Sequence, residues 1–553
     1  MKRRVLTRIL VPMLSASMLL SACSSENAGN PGKIESKESA SLSAAGQLPI
    51  SKEKINITVT VPASPYVLSW DYGKNEFTTW IEDQTNIHIN WNLYPAADAK
   101  TKLNLELSSG GDLGDLVMGN FSLDNSMVAT YGSQGLLLNI KDLIEKQGSN
   151  LKKMYSEYPS IKQATTAPDG NIYGVPEVGV CYNCDRAMRF WVNKNFLKTL
   201  NMSVPITTDE LYQYLKAVKE KDPNGNGKKD EIGLVGSPKS WFSNVHQFIM
   251  NAFTYHDSNE LYVKDDKVVA SYTTPEWREG LRYLNKLYKE GLIDQSSFTN
   301  DEPQLRQLVE LNNGNTVGAV GNGGPHAFAA NDSTKFNYEI VPPLKGPNGF
   351  QTSYYNEYGM VGGYRFVIPA KSKHPEAVMK LIDFLYSNEA YLRGRYGVPG
   401  VNWEVPKDTI AANGEPAKFK LIGKDLWGQP QNAHWSGANG GWPPFGSDAR
   451  EALKSGYDLE TVLFDAAKMY DKYAPKVSVP KFFFDPDTSK RHNELQTEIK
   501  KRVDAATADF IVGNMNIETD WDKFQAELKQ MGVEEYVSIM QKEYDAKWKS
   551  SKK

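Results

Sequence analysis

Strand-like and helix-like segments alternate from Ile55 onward, and this alternation most limits the folds open to the chain. The stretch "INITVTV" (55–61) alternates apolar and polar residues, as a half-buried strand does. The helix-like "NEFTTWIEDQTN" (75–86) and the strand-like "IHINWNLY" (87–94) follow it. After another helix-like segment, "LGDLVMG" (113–119) indicates a buried strand. This order predicts an α/β fold with a largely parallel sheet.

Two later segments carry helix start and stop residues. Thr274 and Pro275 open the first, where Trp277 shares one face with leucines at helical spacing and is interpreted as a core residue. The second, "HPEAVMKLIDFLYSNEAYLRGRYG" (374–397), has proline near its start and glycine at its end, so we expect one helix there.

Residues 1–22 are typical of a secretory signal peptide. Lys2 and Arg3 precede the apolar run Ile9–Leu20, which is shorter than the ~20 residues of a membrane-spanning helix. Cys23 follows Leu-Ser-Ala and resembles the lipobox cysteine of bacterial lipoproteins, which receives a lipid such as palmitate. An ordinary secretory signal with a chance cysteine is the alternative.

Residues 23–53 are rich in serine, glycine and charge, so we expect a flexible tether. The protein is then expected on the outer face of the cytoplasmic membrane, which it touches only through the lipid.

Composition and missing motifs exclude several classes of function. About 500 residues follow the tether, which is longer than a typical single domain. The net charge of −3 shows no basic excess, so we expect no nucleic acid partner. The chain lacks HExxH and GxSxG, and "GNGKK" (225–229) departs from a phosphate-binding loop. We therefore expect a protein that is not an enzyme.

Cys181 and Cys184 form the motif "CYNC". Outside the cell, such a pair could be a local disulfide, a free thiol pair or half of a metal site. Without a second CxxC, a zinc tetrahedron is disfavoured. A redox role would need the pair to open a helix after a strand, so we favour the disulfide.

The stretch "DPNGNGKKDEIG" (222–233) concentrates oxygen donors. Calcium takes 6–8 oxygens from carboxylates, amides and backbone carbonyls. Gly225 and Gly227 allow the positive φ angles that a tight loop needs. The pattern resembles the first half of an EF-hand loop but has Gly233 at the twelfth position. A polar Asn-Gly turn that binds nothing is the alternative. The predicted structural Ca²⁺ ligands are Asp222, Asn224, Asn226, Lys228 (by its carbonyl), Asp230 and Glu231.

Several motifs together resemble one family. They are the lipobox, the tether, "LSSGGDLGDLVM" (107–118), "NIYGVP" (171–176), "FWVNKNFLKTLNM" (190–202), the calcium-like loop and the segment that begins "YRFVIPAKSKHPEAV" (364–378). The chain is similar to extracellular solute-binding lipoproteins of ABC importers, in the oligosaccharide-binding branch of the LplA-type, alginate-binding and maltose-binding proteins. The "CYNC" motif is not part of that pattern.

The resemblance implies a two-lobed α/β fold of the periplasmic-binding-protein kind (type II), with the ligand in a cleft. Lobe 1 would comprise 54–178 plus 363–400, and lobe 2 would comprise 179–362 plus 401–553, including the calcium loop. Hinge crossings would lie near 174–180, 357–364 and 397–403. The implied function is capture of an oligosaccharide outside the membrane and delivery to the transmembrane subunits of an ABC permease, by a monomer.

Aromatic side chains in polar loops are the candidate sugar contacts, because sugars present apolar C–H faces to flat rings. Each of these rings could instead pack in a core. The maltose-binding relatives place an aromatic pair at the loop that holds 241 and 242. The candidates are Trp70, Trp241, Phe242, Tyr355, Trp403, Trp435 and Trp442.

Two other functions stay open from the sequence. A surface-anchored polysaccharide lyase or glycoside hydrolase would also use a tether, calcium and an aromatic cleft. The second alternative is a receptor that binds a peptide or lipid, because the same fold can bind different classes of ligand.

Overall fold

The computed structural model describes residues 41–179, 181–257, 259–356, 361–423, 426, 430–438, 449–452, 459–479 and 482–548. The strands in chain order are β1 (Ile55–Pro62), β2 (Ile87–Tyr94), β3 (Leu116–Leu123), β4 (Val175–Val178), β5 (Phe190–Asn193), β6 (Ile232–Val235), β7 (Leu261–Lys264), β8 (Lys267–Ala270), β9 (Val317–Gly321), β10 (Tyr338–Ile340), β11 (Val361–Val367), β12 (Trp403–Glu404) and β13 (Lys420–Leu421).

The α-helices are Glu76–Thr85, Ala99–Ser109, Asn125–Ser133, Lys141–Gln147, Asn150–Glu157, Pro159–Thr165, Lys194–Leu200, Thr208–Glu220, Val245–Met250, Pro275–Lys289, Glu302–Glu310, Pro325–Phe328, Asp332–Lys335, Pro375–Leu385, Asn388–Tyr396, Leu459–Asp471, Pro486–Val512, Trp521–Gln530 and Val533–Glu543. Short 3₁₀ turns cover Cys184–Arg186, Ser271–Thr273, Gln295–Phe298 and Leu311–Asn313, and a π-helical turn covers Tyr544–Trp548.

Two main sheets organise residues 42–553, which form one compact unit. The first sheet has the order β2-β1-β3-β11-β4, and the second has the order β10-β5-β9-β6. In the first, β1 runs parallel to β2 and β3, whereas β11 is antiparallel to both β3 and β4. In the second, β6 is parallel to β9, and β5 is antiparallel to β9 and β10. One strand in each sheet therefore runs against the others, which confirms the predicted α/β class.

The helix signals in the sequence act as local caps. The side chain of Asn75 accepts hydrogen bonds from the backbone N–H groups of Phe77 and Thr78, both at 3.1 Å, where the first helix begins. Thr274 caps the helix Pro275–Lys289 in the same way. Trp277, on the side of this helix that faces the core, is fully buried. Such caps satisfy N–H groups that have no partner within the helix.

The single helix expected over 374–397 is two helices. The first ends at Leu385, and Ser387 accepts a hydrogen bond from the backbone N–H of Ala390, at 3.3 Å, to start the second. An N-cap serine requires an extended backbone, so the helix breaks there.

The predicted tether is wrong at its C-terminal end. Ile50 is only 2% exposed and packs in the core of the first sheet. The backbone N–H of Ser51 donates to the carbonyl of Thr85 at 3.3 Å. The apolar Ile50 side chain adds buried surface, which offsets part of the entropy lost when this segment is ordered. Cys23 and the predicted signal peptide lie outside the described residues.

The proposed lobe limits stay a prediction. The strands of the first sheet fall in 55–178 and 361–367, and those of the second fall in 190–340. Residues 430–438, assigned to lobe 2 by the resemblance, instead contact the first sheet's side. There the Gln431 carbonyl accepts from the N–H of Leu68 at 3.2 Å. Parts of two expected hinge crossings, 180 and 357–360, lie outside the described residues. Within the part of the chain that is described, no helix is long and apolar enough to cross a membrane.

Candidate functional site

The acidic loop connects the helix Thr208–Glu220 to β6. Three of its residues have positive φ angles: Asp222 (48°), Gly225 (70°) and Gly227 (78°). Glycine adopts this conformation without steric cost, and aspartate tolerates it better than most residues. The backbone therefore folds back on itself within ten residues.

Side-chain oxygens at alternate positions hold this loop together. The backbone N–H of Asn226 donates to Oδ1 of Asn224 at 2.9 Å, and that of Lys228 donates to Oδ1 of Asn226 at 2.8 Å. The N–H of Gly227 donates to Oδ2 of Asp222 at 2.9 Å. The side chains of Asp222, Asn224 and Asn226 thus fold back onto the backbone of the loop.

Glu231 is the buried member of the loop. It is 1% exposed, and its Oε1 accepts from the backbone N–H of Asn224 at 3.3 Å. Among the described residues, Oε2 of Glu231 has no hydrogen-bond partner. Burial raises the pKa of this carboxyl group, and the nearby Asp222 and Asp230 carboxylates raise it further. A cation beside Oε2 would offset the cost of burying an ionised Glu231.

The loop's donors fit a calcium ion. Asp230 lies beside both amides, with its Oδ1 3.3 Å from Nδ2 of Asn224 and 3.1 Å from Nδ2 of Asn226. Three carboxylates, two amides and the Lys228 carbonyl supply the number and type of oxygens that Ca²⁺ prefers. A bound cation would give Oε2 of Glu231 the partner that it lacks.

Three predicted sugar contacts are core residues, which corrects the prediction for them. Trp70 is 4% exposed and Trp435 is 1% exposed, and their rings stack at 6.3 Å between centroids. The indole N–H of Trp435 donates to Oγ1 of Thr78 at 2.8 Å. Trp403 is 4% exposed, packs beside Phe419 and donates its indole N–H to a backbone carbonyl. Rings buried in this way leave no face for a ligand.

Trp241 and Phe242 remain half-buried at the end of a loop that follows β6. The Trp241 ring lies over Gly323, where an added Cβ would come within 2.3 Å of the indole. The imidazole of His326 lies 5.9 Å from the Trp241 ring. Burial lowers the pKa of His326 to about 4, so this imidazole is neutral at pH 7. Gly323 and His326 thus lie against the Trp241 ring and help to hold it in place.

Tyr355 is half-buried, but one face of its ring is covered. The guanidinium of Arg186 lies 4.6 Å from the centre of the Tyr355 ring and 4.2 Å from that of Tyr182. A disulfide joins Cys181 to Cys184 around Tyr182. The CYNC segment therefore holds an aromatic–arginine stack. Trp442 lies outside the described residues.

A cleft of about 690 Å³ opens at the carboxyl end of β3, and sequence reasoning did not identify it. Asn120 and Ser122 line it from β3, and Asp124 lines it from the N-cap of the next helix. Asn493 and Gln496 line it from the helix Pro486–Val512. The carboxyl ends of strands in α/β sheets are frequent ligand sites, which is the signal that could have found it.

Two of the aromatic side chains that line the cleft are buried. Phe484 is 7% exposed and Tyr536 is 3% exposed, whereas Phe482 is half-buried. Glu177 and Arg365 form an ion pair in its wall. The cleft is suited to polar contacts more than to stacking on a sugar.

Comparisons with known proteins agree with this architecture. A family model described as "Bacterial extracellular solute-binding protein" matches residues 70–391. The fructooligosaccharide ABC transporter substrate-binding protein FusA of Streptococcus pneumoniae serotype 4 is 28% identical over 573 residues, covering 99% of each chain. The polygalacturonan/rhamnogalacturonan-binding protein YtcQ of Bacillus subtilis is 26% identical over 514 residues, covering 89% of this chain and 93% of YtcQ.

A solved structure is similar over most of the chain. It is an EF-hand mutant of the S. pneumoniae substrate-binding protein FusA in complex with fructo-nystose. The TM-score is 0.72 at 25% sequence identity, and the match covers 90% of this chain and 100% of that one.

Proposed function

Because this chain belongs to the family of bacterial extracellular solute-binding proteins, we propose that it captures an oligosaccharide outside the membrane and passes it to an ABC permease. The end-to-end similarity to FusA, over 99% of both chains, carries this proposal. YtcQ, named as a polygalacturonan/rhamnogalacturonan-binding protein, is similar over 89% of the chain. The family and these relatives are binding proteins, and neither points to a lyase or hydrolase.

The sugar would stack on Trp241. Its ring is half-buried, is supported by Gly323 and His326, and is followed by Phe242, whose φ of 48° holds the loop in a strained shape. Strain of this kind is common where a loop contacts a ligand. A flat ring with one supported face is what the C–H face of a pyranose or furanose needs.

The acidic loop would hold a structural calcium ion. Asp222, Asp230 and Glu231 would supply the carboxylates, and the ion would balance their mutual repulsion. The EF-hand named for FusA supports this proposal. Cys23 would carry the lipid that keeps the protein on the outer face of the cytoplasmic membrane. The protein would act as a monomer.

A thermal-shift screen of the chain lacking residues 1–23 tests the function. Fructooligosaccharides, galacturonan fragments and maltooligosaccharides are added in turn at constant calcium. A ligand at 100 times its Kd adds about 2.7 kcal/mol of stability. We expect a rise in Tm with one sugar class, and mass spectrometry should recover that sugar intact.

Two outcomes would contradict the proposal. Recovery of shortened sugar would identify a lyase or hydrolase. No shift with any sugar, together with a shift with peptides or lipids, would identify a receptor for another ligand on the same fold.

A further inference from the structure

A second group of metal-ligand side chains lies away from the acidic loop. His246 is in the helix Val245–Met250, His256 follows that helix, and Glu260 precedes β7. One ligand atom from each lies within 4.8 Å of the others. All three residues line a cavity of about 420 Å³.

His256 is the buried centre of this group. It is 1% exposed, and neither Nδ1 nor Nε2 has a hydrogen-bond partner among the described residues. A buried polar group without a partner is costly, and exceptions call for a missing ion or water. The His246 ring lies 5.4 Å from the His256 ring, and Oε1 of Glu260 lies 4.0 Å from Nδ1 of His256. The Trp277 ring packs 5.3 Å away.

The backbone around these ligands is held in place by side chains. Asn251 and His256 exchange two hydrogen bonds, of 3.0 and 3.1 Å. Glu260 has a positive φ of 57°, and its N–H donates to Oδ1 of Asp257 at 2.6 Å. Ser271 donates both its N–H and its hydroxyl to the carbonyl of Glu260. A left-handed glutamate persists only where its surroundings enforce it, which is common at functional sites.

The remaining charges of the cavity are compatible with a bound cation. Asp257 and Asp504 add two carboxyl groups, and Lys500 is paired with Asp504 at 2.9 Å. A neutral imidazole offers one ring nitrogen with a lone pair to a metal ion, and both histidines lie in the wall of this cavity. Neutral imidazole nitrogens with a carboxylate select zinc-class ions over calcium.

We propose that His246, His256 and Glu260 bind one zinc-class divalent cation, with the open cavity as the side for a water ligand. Zinc bonds of about 2.0–2.2 Å place tetrahedral ligand atoms about 3.4 Å apart. The ligand atoms, which lie within 4.8 Å of one another, would close in on the ion by side-chain rotation. The ion joins the helix Val245–Met250 to the strand β7 and stiffens the base of the loop that carries Trp241.

Zinc retention by the chain lacking residues 1–23 tests the site. The protein is stripped with EDTA, saturated with calcium, given a small excess of ZnCl₂ and dialysed, and its zinc is counted by mass spectrometry. We expect one zinc per chain. Glu260→Gln and His246→Asn should each weaken zinc binding at least about 100-fold, beyond the 10–100-fold usual for residues outside the ligand set.

Matched controls separate this site from other histidines and from the acidic loop. His374→Asn changes a half-buried histidine at a helix start and should leave zinc binding unchanged. Asp222→Ala should also retain zinc, because its site is distinct. Far-UV circular dichroism checks that each variant folds. If His246→Asn does not fold, Glu260→Gln still tests the site, because glutamine keeps the shape of the glutamate side chain.

The visible absorption spectrum of bound Co²⁺ is a second test, and it does not depend on counting metal ions per chain. Co²⁺ in the unaltered protein should give a visible absorption band that Glu260→Gln lacks. Absence of retained zinc in the unaltered chain, or equal zinc binding in Glu260→Gln, would overturn the site.

Discussion

Glu231→Gln is the most informative change in the acidic loop, because its effect should reverse sign with calcium. Without calcium, burial raises the folded-state pKa of Glu231 above its unfolded value. Stability linked to this group is then complete below the unfolded pKa and is lost as pH rises through the folded pKa. Glutamine has no charge to bury, so in EDTA at pH 7 the variant should be as stable as the parent or more stable.

With calcium, the order should invert. An ion at 1,000 times its Kd stabilises the folded chain by about 4.1 kcal/mol. Unfolding entropy is about 2.1 cal/mol/K per residue, so about 500 residues give about 1 kcal/mol/K and a rise in Tm of about 4 °C. The variant loses a bidentate carboxylate and should lose most of that rise.

Differential scanning calorimetry in EDTA and in millimolar calcium measures both effects. Glu220→Gln is the matched control, since it removes the same charge from an exposed position at the end of the preceding helix. It should leave the calcium response intact. A parent chain with equal Tm in both buffers, or a Glu231→Gln variant with the full calcium rise, would refute the reasoning.

Three further outcomes are expected. Trp241→Ala should weaken sugar binding about tenfold by calorimetric titration, which is about 1.4 kcal/mol, whereas Gln496→Ala in the cleft should not. Trp435→Ala should lower the free energy of unfolding by about 3–5 kcal/mol in urea, since it empties a core position; unchanged stability with lost binding would contradict the core assignment. Replacing Cys181 and Cys184 by alanine should cost about 2 kcal/mol or less by urea denaturation, because the closed loop is short; a larger loss would show that the disulfide does more than close it.

Local features were predictable because their causes lie within a few residues. Thr274 caps its helix through a group three positions away. The acidic loop closes through contacts within ten residues, such as that between Asp222 and Gly227. The resemblance to solute-binding proteins, carried by short motifs, is confirmed by the family match over residues 70–391.

The sequence by itself determined the α/β order of elements, the caps and the donor pattern of the acidic loop, since each depends on near neighbours and backbone preferences. Only the tertiary structure decided which rings are buried. Trp70 and Trp435 are 365 positions apart and meet in one core, whereas Trp241 stays half-buried. His246, His256 and Glu260 are near neighbours along the chain, and the structure brings them together in the segment between the helix Val245–Met250 and β7. Whether a ring is buried depends on which distant segments pack against it, and the periodicity of apolar residues along the chain does not reveal those contacts.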